Sequence, residues 1–149
     1  MSAQAGSNGA ARVISIILMV VGALMIIAGA TTYGMVSTTL ANEQITVSED
    51  ACLGGQTVAG PLPAYCEAMI IADHAMEATG GKTYAQLDRE DPLRQVAMNG
   101  SFLRASLFTS VVAFGVSLLI IGLGILFILV GVAILNLAGK KSQAPPAAA

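Results

Sequence analysis

Two long stretches of this chain carry no Asp, Glu, Lys, Arg or His at all, one between Arg12 and Glu43 and the other between Arg104 and Lys140. Within them, Val13–Met35 (VISIILMVVGALMIIAGATTYGM) and Leu107–Leu137 (LFTSVVAFGVSLLIIGLGILFILVGVAILNL) are apolar almost throughout. A helix of about 20 apolar residues crosses a hydrocarbon core of ~30 Å, so each stretch has the length of a transmembrane helix. Packing both inside a soluble core would take more partner surface than the rest of the chain can supply. Only 11% of the 149 residues are charged and 55% are hydrophobic, whereas a soluble domain carries about 25% charged residues.

The expected fold is therefore an all-α membrane protein. Its parts are a cytoplasmic N-terminal tail (1–12), a first span (13–36), an extracytoplasmic and mostly helical subdomain (37–104), a second span (105–138) and a disordered cytoplasmic tail (139–149). The two spans form an antiparallel transmembrane hairpin in this reading. The alternative for the first stretch is a cleaved signal peptide, with Arg12 as its positive n-region and Ala28-Gly29-Ala30 as a small-x-small cleavage site. The uncharged run continues past Ala30 to Ala41, longer than a typical signal h-region of about 7–15 residues, which favours an uncleaved anchor.

Orientation follows from the basic flanks. Arg12 precedes the first span and Lys140 and Lys141 follow the second, a modest excess over Arg104 and Arg94 near the end of the middle segment. Lys and Arg near span ends favour the cytoplasm and acids count for little, which places both termini in the cytoplasm of a cell-membrane protein. All nine acids fall in the middle segment, as do the two cysteines, Cys52 and Cys66. An extracytoplasmic compartment permits a disulfide between them, and that bridge would contribute about 3 kcal/mol by restricting the unfolded chain. Two unpaired cysteines are the alternative, and a reactive Cys66 in the first turn of a helix is a third.

Small residues recur every seven positions: Ser15, Gly22 and Gly29 in the first span, and Ser117, Gly124 and Gly131 in the second. In lipid, helices associate through close packing, for which small residues are suited. A seven-residue repeat keeps the contact on one seam. Gly115 and Gly122 lie off that seam and are left for a partner. With no Asp, Glu, Lys, Arg or His inside either span, the usual marks of an ion pathway are missing.

In the middle segment, Gln44–Val47 is β-like, with Ile45 and Val47 on one face. CLGGQTVAGPLP is a Gly/Pro loop. From about Ala64 a helix is expected, with Tyr65, Ala68, Met69, Ala72 and Met76 as its apolar stripe and Glu67, Asp73, His74 and Glu77 on the other face. His74 and Glu77 with a cysteine are the one arrangement that suggests zinc, which needs four ligands. Nothing else in the spacing supports such a site, a solvated helix face is the preferred account, and no metal or cofactor is assigned.

The stretch TGGKTYAQLDREDP (79–92) contains Gly-Lys-Thr, the end of a phosphate loop. The full pattern needs a glycine five residues before Gly81, between a strand and a helix; Met76 stands there, at the end of a helix. Helix grammar accounts for the same residues. Gly80 and Gly81 end one helix, Thr83 and Gln86 have capping-box spacing, and Asp91 and Pro92 suit N-cap and N1 of the next. That next helix leads through Arg104, an interfacial cation flanked by Phe102 and Phe108, into the second span.

GGKTYAQLDREDPLR followed by SFLRASLFTSVVAFGV resembles a family of small actinobacterial two-span membrane proteins, and the likeness extends from the first span to about Leu137. Members often carry the label "aromatic ring-opening dioxygenase LigA". Extradiol ring opening uses non-haem iron, usually held by two histidines and a carboxylate, and this chain has one histidine. The expected function is non-enzymatic: an interaction or accessory subunit of a larger cell-envelope or respiratory membrane complex. Its partners are then the lipid bilayer and other membrane proteins or a second copy, with no nucleic acid and no small-molecule substrate. The alternative is a subunit of a metal-dependent, ring-opening dioxygenase-like enzyme.

Overall fold

The computed structural model describes residues 2–142. Three α-helices make up most of them: α1 (Ser2–Asn42), α2 (Pro61–Ala78) and α3 (Leu93–Ser142), with one 3-10 turn at Tyr84–Gln86. No strand occurs among the described residues, only an isolated antiparallel bridge between Thr46 and Thr57. Two helical stretches, Gly9–Asn42 and Leu93–Gly139, are long and apolar enough to cross a membrane. The side chains of Lys140 and Lys141 lie outside the described ones, as does the tail 143–149.

The chain divides into two compact units, Met1–Thr31 with Ser117–Ala149, and Thr32–Val116. In the first unit, α1 and α3 meet backbone to backbone. A Cβ on Gly22 would lie 2.5 Å from the Gly124 carbonyl oxygen, and one on Gly124 would lie 2.6 Å from the Gly22 carbonyl. Gly29 approaches the Ser117 carbonyl in the same way, and Gly131 that of Ser15. As numbers rise on α1 they fall on α3, so the pair is antiparallel. Ser15 and Ser117 are buried, and the Ser15 hydroxyl donates to the Ala11 carbonyl at 2.7 Å. Gly115 and Gly122 meet nothing within 4 Å.

The second unit is built from the end of α1, α2, the start of α3 and the loops between them. Leu40, Val47, Val58, Ala64, Cys66, Ala68 and Leu107 form its core, with Ile45, Ile71, Phe108 and Val111 packed around them. Tyr33 and Phe114 lie 4.7 Å apart between ring centres, and Tyr65 meets Phe108 edge-on at 6.0 Å. Gly100 allows α2 and α3 to approach, since a Cβ there would come within 2.7 Å of the Ala75 methyl. α3 runs through Asn99-Gly100-Ser101 as continuous helix.

Two expectations for α2 need correction. It begins at Pro61 rather than near Ala64, because prolines fit a first turn whose N–H groups have no helical partner. Its inward face is also rotated. Of the expected stripe Ala68 is buried, but Tyr65, Met69 and Met76 are about 40% exposed, while Ala64 and the supposedly solvated Glu67 are buried. The alanine face lets the helices pack closely, and burying Glu67 is made tolerable by the hydrogen bonds described next.

Candidate functional site

The turn at 48–55 follows α1 and folds back on α2. Val47 N–H donates to the Gln56 carbonyl and Val58 N–H to the Ile45 carbonyl, each at 2.8 Å. Three ties fasten this turn to α2. Cys52 and Cys66 form a disulfide with Cα atoms 5.3 Å apart. The Glu67 carboxylate accepts from the Ser48 N–H at 2.7 Å and from its hydroxyl at 3.2 Å. His74 Nε2 and the Asp50 carboxylate meet at 2.7 Å.

That last hydrogen bond raises the His74 pKa above 6.5, and the same contact lowers the Asp50 carboxyl below 3.8. His74 therefore pairs across the loop with Asp50 rather than along its helix with Glu77. Both cysteines are bonded to each other, so neither offers a thiolate to a metal. Among the described residues no group of three His, Cys, Asp or Glu side chains is placed to hold an ion. Asp50 and Glu67 had no signal in the sequence, because their partners are 24 and 19 residues away.

The Gly-Lys-Thr stretch resolves into helix ends. Gly80 and Gly81 adopt φ of 63° and 79°, the left-handed conformation that costs glycine little. Gly81 N–H donates to the Met76 carbonyl at 2.7 Å and Gly80 N–H to that of Glu77 at 3.1 Å, which closes α2. Lys82 N–H reaches the Thr79 carbonyl at 3.4 Å. The Gln86 side-chain oxygen accepts from the Thr83 N–H at 2.9 Å and from its hydroxyl at 3.1 Å. Asp91 accepts from the Leu93 N–H at 2.9 Å at the start of α3, with Pro92 one residue before that helix. Four consecutive backbone N–H groups, from Gly80 to Thr83, are thus engaged internally, and none is left to cradle a phosphate.

The side chains of this stretch do form a concave surface. Arg94 lies over the Tyr84 ring at 4.0 Å and donates to the Leu87 carbonyl at 2.7 Å, which fixes the ring in place. Tyr84, Lys82 and Thr83 from the stretch, Met76 from α2 and Ser101 and Arg104 from α3 line a cavity of about 140 Å³. Arg104 also lies 5.3 Å from the centre of the Phe108 ring. Beside it, Tyr84, Met98, Ser101, Phe102 and Ala105 line a more open cavity of about 440 Å³. Ser101, Arg104, Ala105 and Phe108 line a third, of about 250 Å³.

No protein-family model, no curated protein and no solved structure matches this chain.

Proposed function

We propose that this chain is a non-enzymatic integral membrane protein: a two-span hairpin with a small extracytoplasmic subdomain, acting as an interaction or accessory subunit of a larger cell-envelope or respiratory membrane complex. The observation that supports this is how little of each apolar helix its own chain covers. In the most apolar window of α1 17% of residues are buried, and in that of α3 11%. Side chains such as Leu24, Ile27, Val112, Leu119 and Leu129 stand more than half exposed. Water does not tolerate so much contiguous apolar surface on a monomer, whereas lipid and partner helices do. The open Gly115 and Gly122 positions on α3 repeat at the seven-residue spacing of the occupied seam and suit a further helix.

Arg12, Lys140 and Lys141 support cytoplasmic termini, and the disulfide suits an oxidising compartment for the middle segment. A periplasm-active reporter fused after Lys141 is then silent; an active one refutes this orientation. Purification in mild detergent followed by mass spectrometry tests the interaction role. A stoichiometric membrane partner or a defined oligomer is expected, and a strictly monomeric species with nothing bound would refute it. Metal analysis of the same sample addresses the enzymatic alternative. Stoichiometric iron or zinc that is lost in His74→Ala would favour that reading instead.

A further inference from the structure

We propose that the cavity lined by Lys82 and Arg104 holds the phosphate of an anionic phospholipid of the outer leaflet, whose acyl chains lie along Phe102, Ala105 and Phe108. The inference rests on the membrane reading above. Its first support is charge. Two cations line this cavity of about 140 Å³ and no carboxylate does. Among the described residues the one ion pair is His74–Asp50, so both cations are available to a ligand. The Tyr84 hydroxyl shares the lining and can donate to a phosphate oxygen, while those of Thr83 and Ser101 already donate to the Gln86 side-chain oxygen and the Ala97 carbonyl.

The second support is continuity. The neighbouring cavities share Tyr84 and Ser101 on one side and Ser101 and Arg104 on the other, and their further lining is Met98, Phe102, Ala105 and Phe108. Past Arg104 the lining along α3 is apolar, at Ala105 and Phe108. That is also the direction in which ionisable residues stop, since none occurs between Arg104 and Lys140. A phosphate at Arg104 with hydrocarbon beyond it matches this order. A zwitterionic choline headgroup would bring its own cation against Lys82 and Arg104, which selects for an anionic lipid.

The full-length protein in detergent, titrated with phosphatidylglycerol or phosphatidylcholine and read by native mass spectrometry, tests the site. Phosphatidylglycerol is expected to bind preferentially, and more weakly as salt is raised. The K82Q/R104Q variant should lose about 25-fold in affinity for it, from the typical worth of two cations beside anionic lipid. Both residues are exposed, so far-UV circular dichroism should remain that of the parent. F102N should weaken phosphatidylglycerol binding with the cations intact.

Equal binding of the two lipids, or unchanged selectivity in K82Q/R104Q, would overturn the proposal. Displacement of the lipid by glycerol 3-phosphate at matched concentration would also overturn it, by showing that a soluble anion suffices. Retention in carbonate-washed membranes separates the two readings. A double variant that stays in the membrane yet loses selectivity supports the lipid site, while carbonate extraction of the parent chain would overturn the membrane reading beneath it.

Discussion

Replacing single glycines by alanine should separate the occupied seam from the open face. On Gly22 the added methyl would sit 2.5 Å from a backbone oxygen of α3 and 2.9 Å from the Ile128 side chain. Ordinary contact begins near 3.4 Å, so α1 and α3 would have to part by close to 1 Å at that level. A gap of that size forfeits about a quarter to a half of the dispersion energy of the atoms on either side. Overpacking of this kind costs about 1–3 kcal/mol, offset by at most about 1 kcal/mol of helix propensity gained from glycine to alanine. We expect Gly22→Ala and Gly124→Ala to destabilise the pair by about 1–2 kcal/mol. At Gly131 the added methyl would meet the Met19 side chain at 2.8 Å and the Ser15 carbonyl oxygen at 2.9 Å, so a comparable cost is expected there. At Gly115 and Gly122 there is nothing within 4 Å to meet, so alanine should be neutral or slightly stabilising in the isolated chain.

The assay is unfolding in mixed dodecylmaltoside and SDS micelles, read by energy transfer between labels at Val13 and Ala133, which the antiparallel register places at one level. Because the Gly22 and Gly124 methyls collide with each other's carbonyls, the double variant should cost less than the sum of the singles. The first substitution already opens the gap that the second needs. If Gly122→Ala lowers the midpoint as much as Gly22→Ala does, the seam has been assigned to the wrong face. If Gly122→Ala leaves the midpoint unchanged but removes a co-purifying partner, the open face is the interaction surface.

Three further outcomes concern the 48–55 turn. Cys52→Ser should cost about 3 kcal/mol, the chain-entropy value for a loop of roughly 15 residues, and should speed amide exchange at Val47 and Val58. Glu67→Ala leaves the Ser48 N–H without its acceptor and should cost about 1–3 kcal/mol, with Glu67→Gln milder because an acceptor oxygen remains; equal stability of all three chains would refute the anchoring role. The His74–Asp50 contact should be complete between the lowered Asp50 pKa and the raised His74 pKa. It contributes stability below pH 6.5 that is lost as pH rises through the raised value; NMR titration of the His74 ring should fall back toward 6.5 in Asp50→Asn, and an unchanged midpoint would refute the pairing.

What could be read from the sequence was either periodic or local. The seven-residue recurrence of Ser15, Gly22 and Gly29 carries its own geometry, since residues at that spacing return to the same side of a helix. Gly80, Gly81 and Asp91 act on backbone groups at most five residues away, so their roles are visible in a short window. The inward face of α2 was not readable in this way. Hydrophobicity and spacing favour a stripe centred on the large Tyr65, Met69 and Met76, with Ala68 at its edge. Close approach to α3 at Gly100 and the disulfide at Cys66 decide for the alanines instead. That rotation turns Glu67 inward, where Ser48 satisfies it. The Asp50–His74 pair and the meeting of Lys82 with Arg104 depend on how the turns fold, which no pattern of residue types encodes.

Gly-Lys-Thr shows how a failed motif and a charged site can coexist. A phosphate loop works through free backbone N–H groups, and here those from Gly80 to Thr83 are engaged in ending α2 and starting the 3-10 turn. What remains for a ligand is the Lys82 ammonium and the Tyr84 hydroxyl beside it. The glycines nevertheless shape the site, because the left-handed turn at Gly80 and Gly81 brings Lys82 and Tyr84 to the cavity that Arg104 lines from α3. Gly81→Ala is therefore a sharper probe than its position in a loop suggests. No atom lies within 4 Å of its added methyl, but its φ of 79° is strained for alanine by about 1–2 kcal/mol. If the turn relaxes, Lys82 leaves the cavity and anionic-lipid selectivity falls while all three α-helices persist. If selectivity survives a relaxed turn, Lys82 is not a ligand and Arg104 alone carries the charge.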